Sequence, residues 1–108
     1  MSDLAKKHCV PCEGGVPKMT EEQAKIYLQK VKDWKLAGDK IEKDYKLKNF
    51  RKAMEFINSV ADLAEEEGHH PDMLVHSWNK VRISTYTHAI GGLSENDFIL
   101  AAKIDKLL

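Results

Sequence analysis

Three histidines stand where imidazoles can do proton chemistry: His69 and His70, adjacent and followed by Pro71, and His88 further along the chain. Histidine is the side chain whose ordinary pKa lets it give and take protons near neutrality, so a cluster of them suits general acid–base work. Successive residues of an extended segment point to opposite sides. One ring of the His69–His70 pair can therefore enter a pocket while the other supports it or meets a ligand from another edge. Two carboxylates are candidates to hold a histidine tautomer or to accept donors from a substrate. Glu65 precedes His69 by one helical turn, and Asp97 falls in the first turn of the last helix. His8 and His76 read as solvated or internally satisfied side chains.

Zinc is the competing chemistry, since these imidazoles with Glu65, Cys9 or Cys12 are all possible ligands. However, the chain has no His-x-x-x-His and no paired Cys-x-x-Cys spacing, so neither a metal nor another cofactor is expected. Cys9 and Cys12, spaced Cys-Val-Pro-Cys, read as plain thiols, because redox pairs of that spacing belong at a strand-to-helix junction.

The elements that must position the histidines follow from hydrophobic period and punctuation. Residues 1–18, with Pro11, Gly14, Gly15 and Pro17, read as an N-terminal arm or tail, and 19–108 as a single domain. Thr20 to Gln23 is a capping-box pattern that opens a helix over about 20–32. Trp34 to Leu36, the Gly38-Asp39 turn and the alternating Ile41, Tyr45 and Leu47 predict a hairpin with one wet face. Phe50, Ala53, Met54, Ile57, Ala61 and Ala64 restore the helical period over about 50–67, and Gly68 stands at a left-handed C-cap. Pro71 keeps His70 out of the helical region. Met73–Trp78 and Val81–Thr87 read as two strands around an Asn79-Lys80 turn, with Trp78 as a packing residue. Asn79 is nine positions after His70, and His88 eight after Lys80, so both histidines fall at the open end of that hairpin. Beyond Gly91-Gly92, Ser94 caps a last helix, with Leu93 placed to staple onto Phe98 and Leu100, Ile104, Leu107 and Leu108 as an apolar stripe. The order α-β-β-α-β-β-α predicts an α+β fold: a four-stranded antiparallel sheet with three helices on one face.

A chain of 108 residues buries a limited core, so self-association is expected. Seventeen basic and seventeen acidic residues cancel, which leaves no bias toward nucleic acid. No apolar run is long enough to cross a bilayer. The first residues lack the apolar core of a secretory signal and the Arg-rich bias of a transit peptide, so the expected address is the cytoplasm.

At the histidines the chain resembles the pterin-4a-carbinolamine dehydratases. The resemblance rests on Glu65-x-x-x-His69-His70-Pro71, six residues, Trp78, nine residues, His88, eight residues and Asp97. Asp33-Trp34, Lys48-Asn49-Phe50 and Gly91-Gly92-Leu93-Ser94-Glu95-Asn96-Asp97 extend it to about 20–105. It implies that a 4a-hydroxytetrahydropterin loses water to give the quinonoid dihydropterin, as in tetrahydrobiopterin recycling. It implies His69 and His88 as general acids for the two faces of the 4a carbon and His70 as mainly substrate-binding. Glu65 and Asp97 are implied as supporting carboxylates, and Trp34 as an aromatic beside the pocket. The main chain at Gly68 and at Tyr86-Thr87 is implied to read the pterin's polar edge. Gly68, Tyr86 and Asn96 depart from the animal pattern of Asp, Ser and Arg. The resemblance also implies a homodimer or homotetramer. Two rival functions remain: a dimerisation-cofactor type of binding module with a vestigial pocket, and a pterin or molybdopterin-linked role outside aromatic hydroxylation.

Overall fold

The computed structural model of the protein describes residues 4–9 and 18–108. Cys12, Pro11, Gly14, Gly15 and Pro17 lie outside the described residues. The elements are α1 (Glu21–Leu28), β1 (Lys35–Ala37), β2 (Lys40–Lys46), α2 (Phe50–Glu67), β3 (Asp72–His76), β4 (Lys80–Thr85) and α3 (Glu95–Asp105). Single 3₁₀ turns at Leu4–Lys6 and His88–Ile90 complete them. The expected α-β-β-α-β-β-α order is observed, and the strands form one antiparallel sheet in the order β1-β2-β4-β3.

Strand alternation separates the two faces of the sheet. Ile41, Tyr45, Val81 and Ile83 point to one face and are buried with Ala53, Phe56 and Val60 of α2 and with Phe98 to Ile104 of α3. The other face carries Glu42, Asp44, Arg82 and Ser84, where Arg82 grips Asp44 across the strands with Nε 2.8 Å from Oδ1. Apolar area drives the helices onto the first face and leaves the second wet.

α2 spans the predicted 50–67, and α3 starts after Ser94 as predicted but stops at Asp105, short of Leu107 and Leu108. Asn49 caps α2 by accepting from the Lys52 amide at 2.8 Å, a contact worth about 1 kcal/mol. Gly68 ends α2 at φ 66°, the left-handed conformation that disfavours a Cβ. Leu93 and Phe98 flank the start of α3 and are both buried in the common core.

Three expectations shift. The first helix stops at Leu28 and not near 32, because the amides of Gln29, Lys30 and Val31 turn back to carbonyls three residues earlier. The β3–β4 turn is the three residues Ser77 to Asn79, with positive φ at Ser77 and Trp78, and not a two-residue turn at Asn79-Lys80, because Lys80 already pairs with His76. Asn79 closes that turn and ties it to the end of β2: its backbone carbonyl accepts from the Leu47 amide at 2.8 Å and its side chain donates to the Leu47 carbonyl at 3.0 Å. Trp78 is largely exposed at that turn and lies outside the hydrophobic core. Finally, Leu100 and Ile104 are fully buried in the chain's own core, so only Leu107 and Leu108, beyond α3, remain exposed from the predicted terminal stripe.

Candidate active site

Asp97 is the centre of the site. It is the third residue of α3 and wholly buried, a position that costs several kcal/mol unless its oxygens are met by donors. They are met from four directions. His69 Nε2 lies 2.7 Å from Oδ1, and the Thr85 hydroxyl donates to the same oxygen at 2.8 Å. The Thr87 hydroxyl and the Ser94 amide donate to Oδ2 at 2.9 and 3.0 Å. An ionised carboxylate accepts and never donates, so with the carboxylate in place the His69 proton facing it sits on Nε2, and Nδ1 is the nitrogen left for other work.

The local sequence explains why these groups meet. Gly68 turns the chain sharply off the end of α2, and the His69 amide still bonds back to the Ala64 carbonyl at 3.2 Å, which seats His69 against the helix terminus. Thr85 shares the inward face of β4 with Val81 and Ile83, so alternation alone aims its hydroxyl at the helices. Thr87 lies two residues past the end of β4 and pairs with Gly92, closing the loop that carries His88.

His88 begins the 3₁₀ turn after Thr87 and is exposed. Its ring packs against Tyr86, with centroids 4.2 Å apart and planes inclined at 44°. His70 is exposed and lies 3.5 Å from Glu65, itself exposed, so that contact is a weak surface pair. Glu65 therefore faces His70, and the carboxylate that holds His69 is Asp97. Both His70 and His88 lie beyond the Asp72–Ser84 pair that closes the sheet, at the open end of the β3–β4 hairpin as expected.

Trp34 stands apart from this cluster. It is buried, and its indole N–H donates to the Asp105 carboxylate at 3.1 and 3.3 Å. The Tyr45 hydroxyl and Lys43 Nζ, at 2.8 Å, bind the same carboxylate. Asp105 is eight residues after Asp97, about 12 Å along the helix axis. Within the chain Trp34 thus anchors the far end of α3. A cavity of about 440 Å³ opens between the start of α1 and the β1–β2 turn, and none of the three histidines lines it.

The sequence placed Ser94 only as the cap of the last helix and did not single out Thr85. The inward phase of Thr85 on a strand of otherwise apolar inward residues was the available signal, since a buried hydroxyl needs a partner. Among the described residues, no group of three or more His, Cys, Asp or Glu side chains is placed to hold a metal ion. No helix among them is long and apolar enough to cross a membrane.

Comparison with known proteins agrees on one family. The family described as pterin 4 alpha carbinolamine dehydratase matches residues 17–107. Pterin-4-alpha-carbinolamine dehydratase 2, mitochondrial, from Arabidopsis thaliana is 51% identical over 99% of the chain, which spans 60% of that protein's length. A putative pterin-4-alpha-carbinolamine dehydratase from Alkaliphilus metalliredigens is 47% identical, covering 98% of this chain and 96% of its own. Among solved structures, a transcriptional coactivator/pterin dehydratase from Brucella melitensis superposes with a TM-score of 0.78 at 27% identity, over 83% of this chain and 97% of that one.

Proposed function

Because the chain belongs to the pterin-4-alpha-carbinolamine dehydratase family, a family of hydro-lyases, we propose that it dehydrates 4a-hydroxytetrahydrobiopterin by histidine general acid–base catalysis. The observation that supports this most is the 2.7 Å contact between His69 Nε2 and the buried Asp97 carboxylate. A buried carboxylate behind an imidazole fixes its orientation and tautomer, which holds the other ring nitrogen ready for proton transfer.

The reaction requires little of the protein beyond proton placement. The N5 lone pair forms a double bond to C4a as the C4a–O bond breaks. An acid protonates the departing hydroxyl, which leaves as water, and a base removes the N5 proton, giving the quinonoid dihydropterin. We assign His69, through Nδ1, and His88 to the two faces of C4a. Each can deliver the proton to oxygen and, as the neutral imidazole, recover one from N5. His70 and Glu65 serve to bind substrate, and the main chain at Gly68 and at Tyr86-Thr87 contacts the pterin's polar edge. Neither a metal nor another cofactor has a step to perform. The pathway served is recycling of tetrahydrobiopterin in the cytoplasm.

The active form is proposed to be a homodimer or homotetramer. The β1 and β3 edges end the sheet, and Met73 and Leu74 on β3 and Phe50 and Met54 on α2 are exposed apolar side chains. A coactivator-type binding role is the second reading, favoured by the printed name of the Brucella melitensis neighbour. Turnover of chemically generated carbinolamine decides between them: wild-type acceleration that His69→Ala reduces supports the enzyme, and a wild-type rate equal to the uncatalysed one favours the binding module.

A further inference from the structure

Lys7, His8 and Cys9 of the N-terminal arm contact the two helix termini that bear His69 and Asp97. Glu67, the last residue of α2, precedes His69 by two positions, and its side chain is only 2% exposed. The Cys9 amide donates to Glu67 Oε1 at 2.8 Å, and His8 Nδ1 lies 3.1 Å from Oε2. Lys103 of α3 approaches the same carboxylate at 3.6 Å. On the other side, Lys7 Nζ donates to Glu95 at 2.9 Å, and the Cys9 thiol points to the Asn96 carbonyl at 3.6 Å. Glu95 and Asn96 immediately precede Asp97. Leu4 is buried in the core beside α3, so residues 4–9 of the arm are docked.

We propose that Glu67 is a positioning residue for His69: by binding the arm at His8 and Cys9 and α3 at Lys103, it fixes the end of α2 against the start of α3 and sets the approach of His69 to Asp97. Three residues of arm thus contact the chain two positions before the imidazole and one to two before its carboxylate. Burial works against ionisation of Glu67, but the Cys9 amide, His8 and Lys103 together hold its carboxyl below the usual range. Removal of Glu67 frees a partly buried lysine and a backbone amide at once, and the α2 terminus loses its tie to both neighbours. The inference rests on His69 being catalytic.

The test compares Glu67→Ala and Glu67→Gln in the full chain. Gln retains an acceptor for the Cys9 amide and nearly the same volume. Carbinolamine turnover gives kcat and KM, and the ¹⁵N shifts of the His69 ring report its tautomer and hydrogen bond. Glu67→Ala should lower kcat by between several-fold and about a hundred-fold with KM nearly unchanged, and should move the His69 ring signals. Glu67→Gln should recover part of both. If Glu67→Ala misfolds, Glu67→Gln alone decides, since loss of the charge should still move the His69 signals and lower kcat. Variants that melt earlier yet keep wild-type kcat and unchanged His69 signals would overturn the proposal. If the wild type has no turnover but the His69 signals move, the catalytic reading fails and the positioning stands.

Discussion

His69 Nε2 and Thr85 Oγ1 converge on one oxygen of Asp97, at 2.7 and 2.8 Å. The other oxygen is held by Thr87 and the Ser94 amide, which leaves the carboxylate with no rotational freedom. Asp97→Asn should therefore be more damaging than its size suggests. An amide offers one accepting oxygen where four donors converge, and its NH₂ faces groups that already donate. We expect a loss of about 3–5 kcal/mol of stability by denaturant unfolding. In the folded fraction kcat should fall by about 10²–10⁴-fold. Unchanged kcat would show that Asp97 only supports the fold.

His69→Ala and His88→Ala should each slow dehydration by about a hundred-fold or more, and each loss should remain partial because the other imidazole still serves its own face of C4a. His70→Ala should raise KM more than it lowers kcat. A double His69–His88 variant with the wild-type rate, measured by stopped-flow absorbance, would refute the acid–base assignment.

Activity should survive exhaustive dialysis against a strong chelator, since proton transfer and not Lewis acidity drives the step. Stoichiometric zinc by atomic absorption, with activity lost on its removal and restored on its return, would contradict this.

Burial, reinforced by the nearby Glu67 and Asp97 charges, raises the Cys9 thiol from 9.0 to about 12. The folded chain holds this proton more tightly than the unfolded one does. The resulting stability is complete below pH 9 and is lost as pH rises toward about 12. At pH 8 the Cys9 peptide should alkylate more than about a hundred-fold slower in the native protein than after unfolding, followed by mass spectrometry peptide by peptide. Equal rates would mean that the arm is not docked in solution.

Sedimentation equilibrium at micromolar concentration should give a mass of at least two chains. A single species at 12.3 kDa throughout that range would exclude the proposed assembly. The apolar side chains at stake are Met73, Leu74, Phe50 and Met54, since Leu100 and Ile104 are already buried within one chain.

What the sequence determined by itself was local. The span of α2, its left-handed end at Gly68, the capping pattern of α1, the alternation of β2 and β4 and the placing of His70 and His88 at one hairpin end all depend on interactions within a few residues. Period and punctuation report such interactions directly. The partner of His69 was not local. Glu65 and Asp97 were both plausible from the sequence, and the choice fell to Asp97, 28 residues away, because only the packing of α3 against the end of α2 and β4 brings that carboxylate into a buried, donor-lined position. The same holds for Thr85, whose inward phase was legible but whose acceptor was not. Asn79 stays in the turn but as its last residue, where a tertiary bond to Leu47 satisfies its buried amide. Trp34 and the N-terminal arm follow suit: one anchors the far end of α3 through Asp105, and the other docks on Glu67. In each case a buried polar group had several possible partners along the chain, and the cost of leaving it unpaired was resolved only when the helices closed over the sheet.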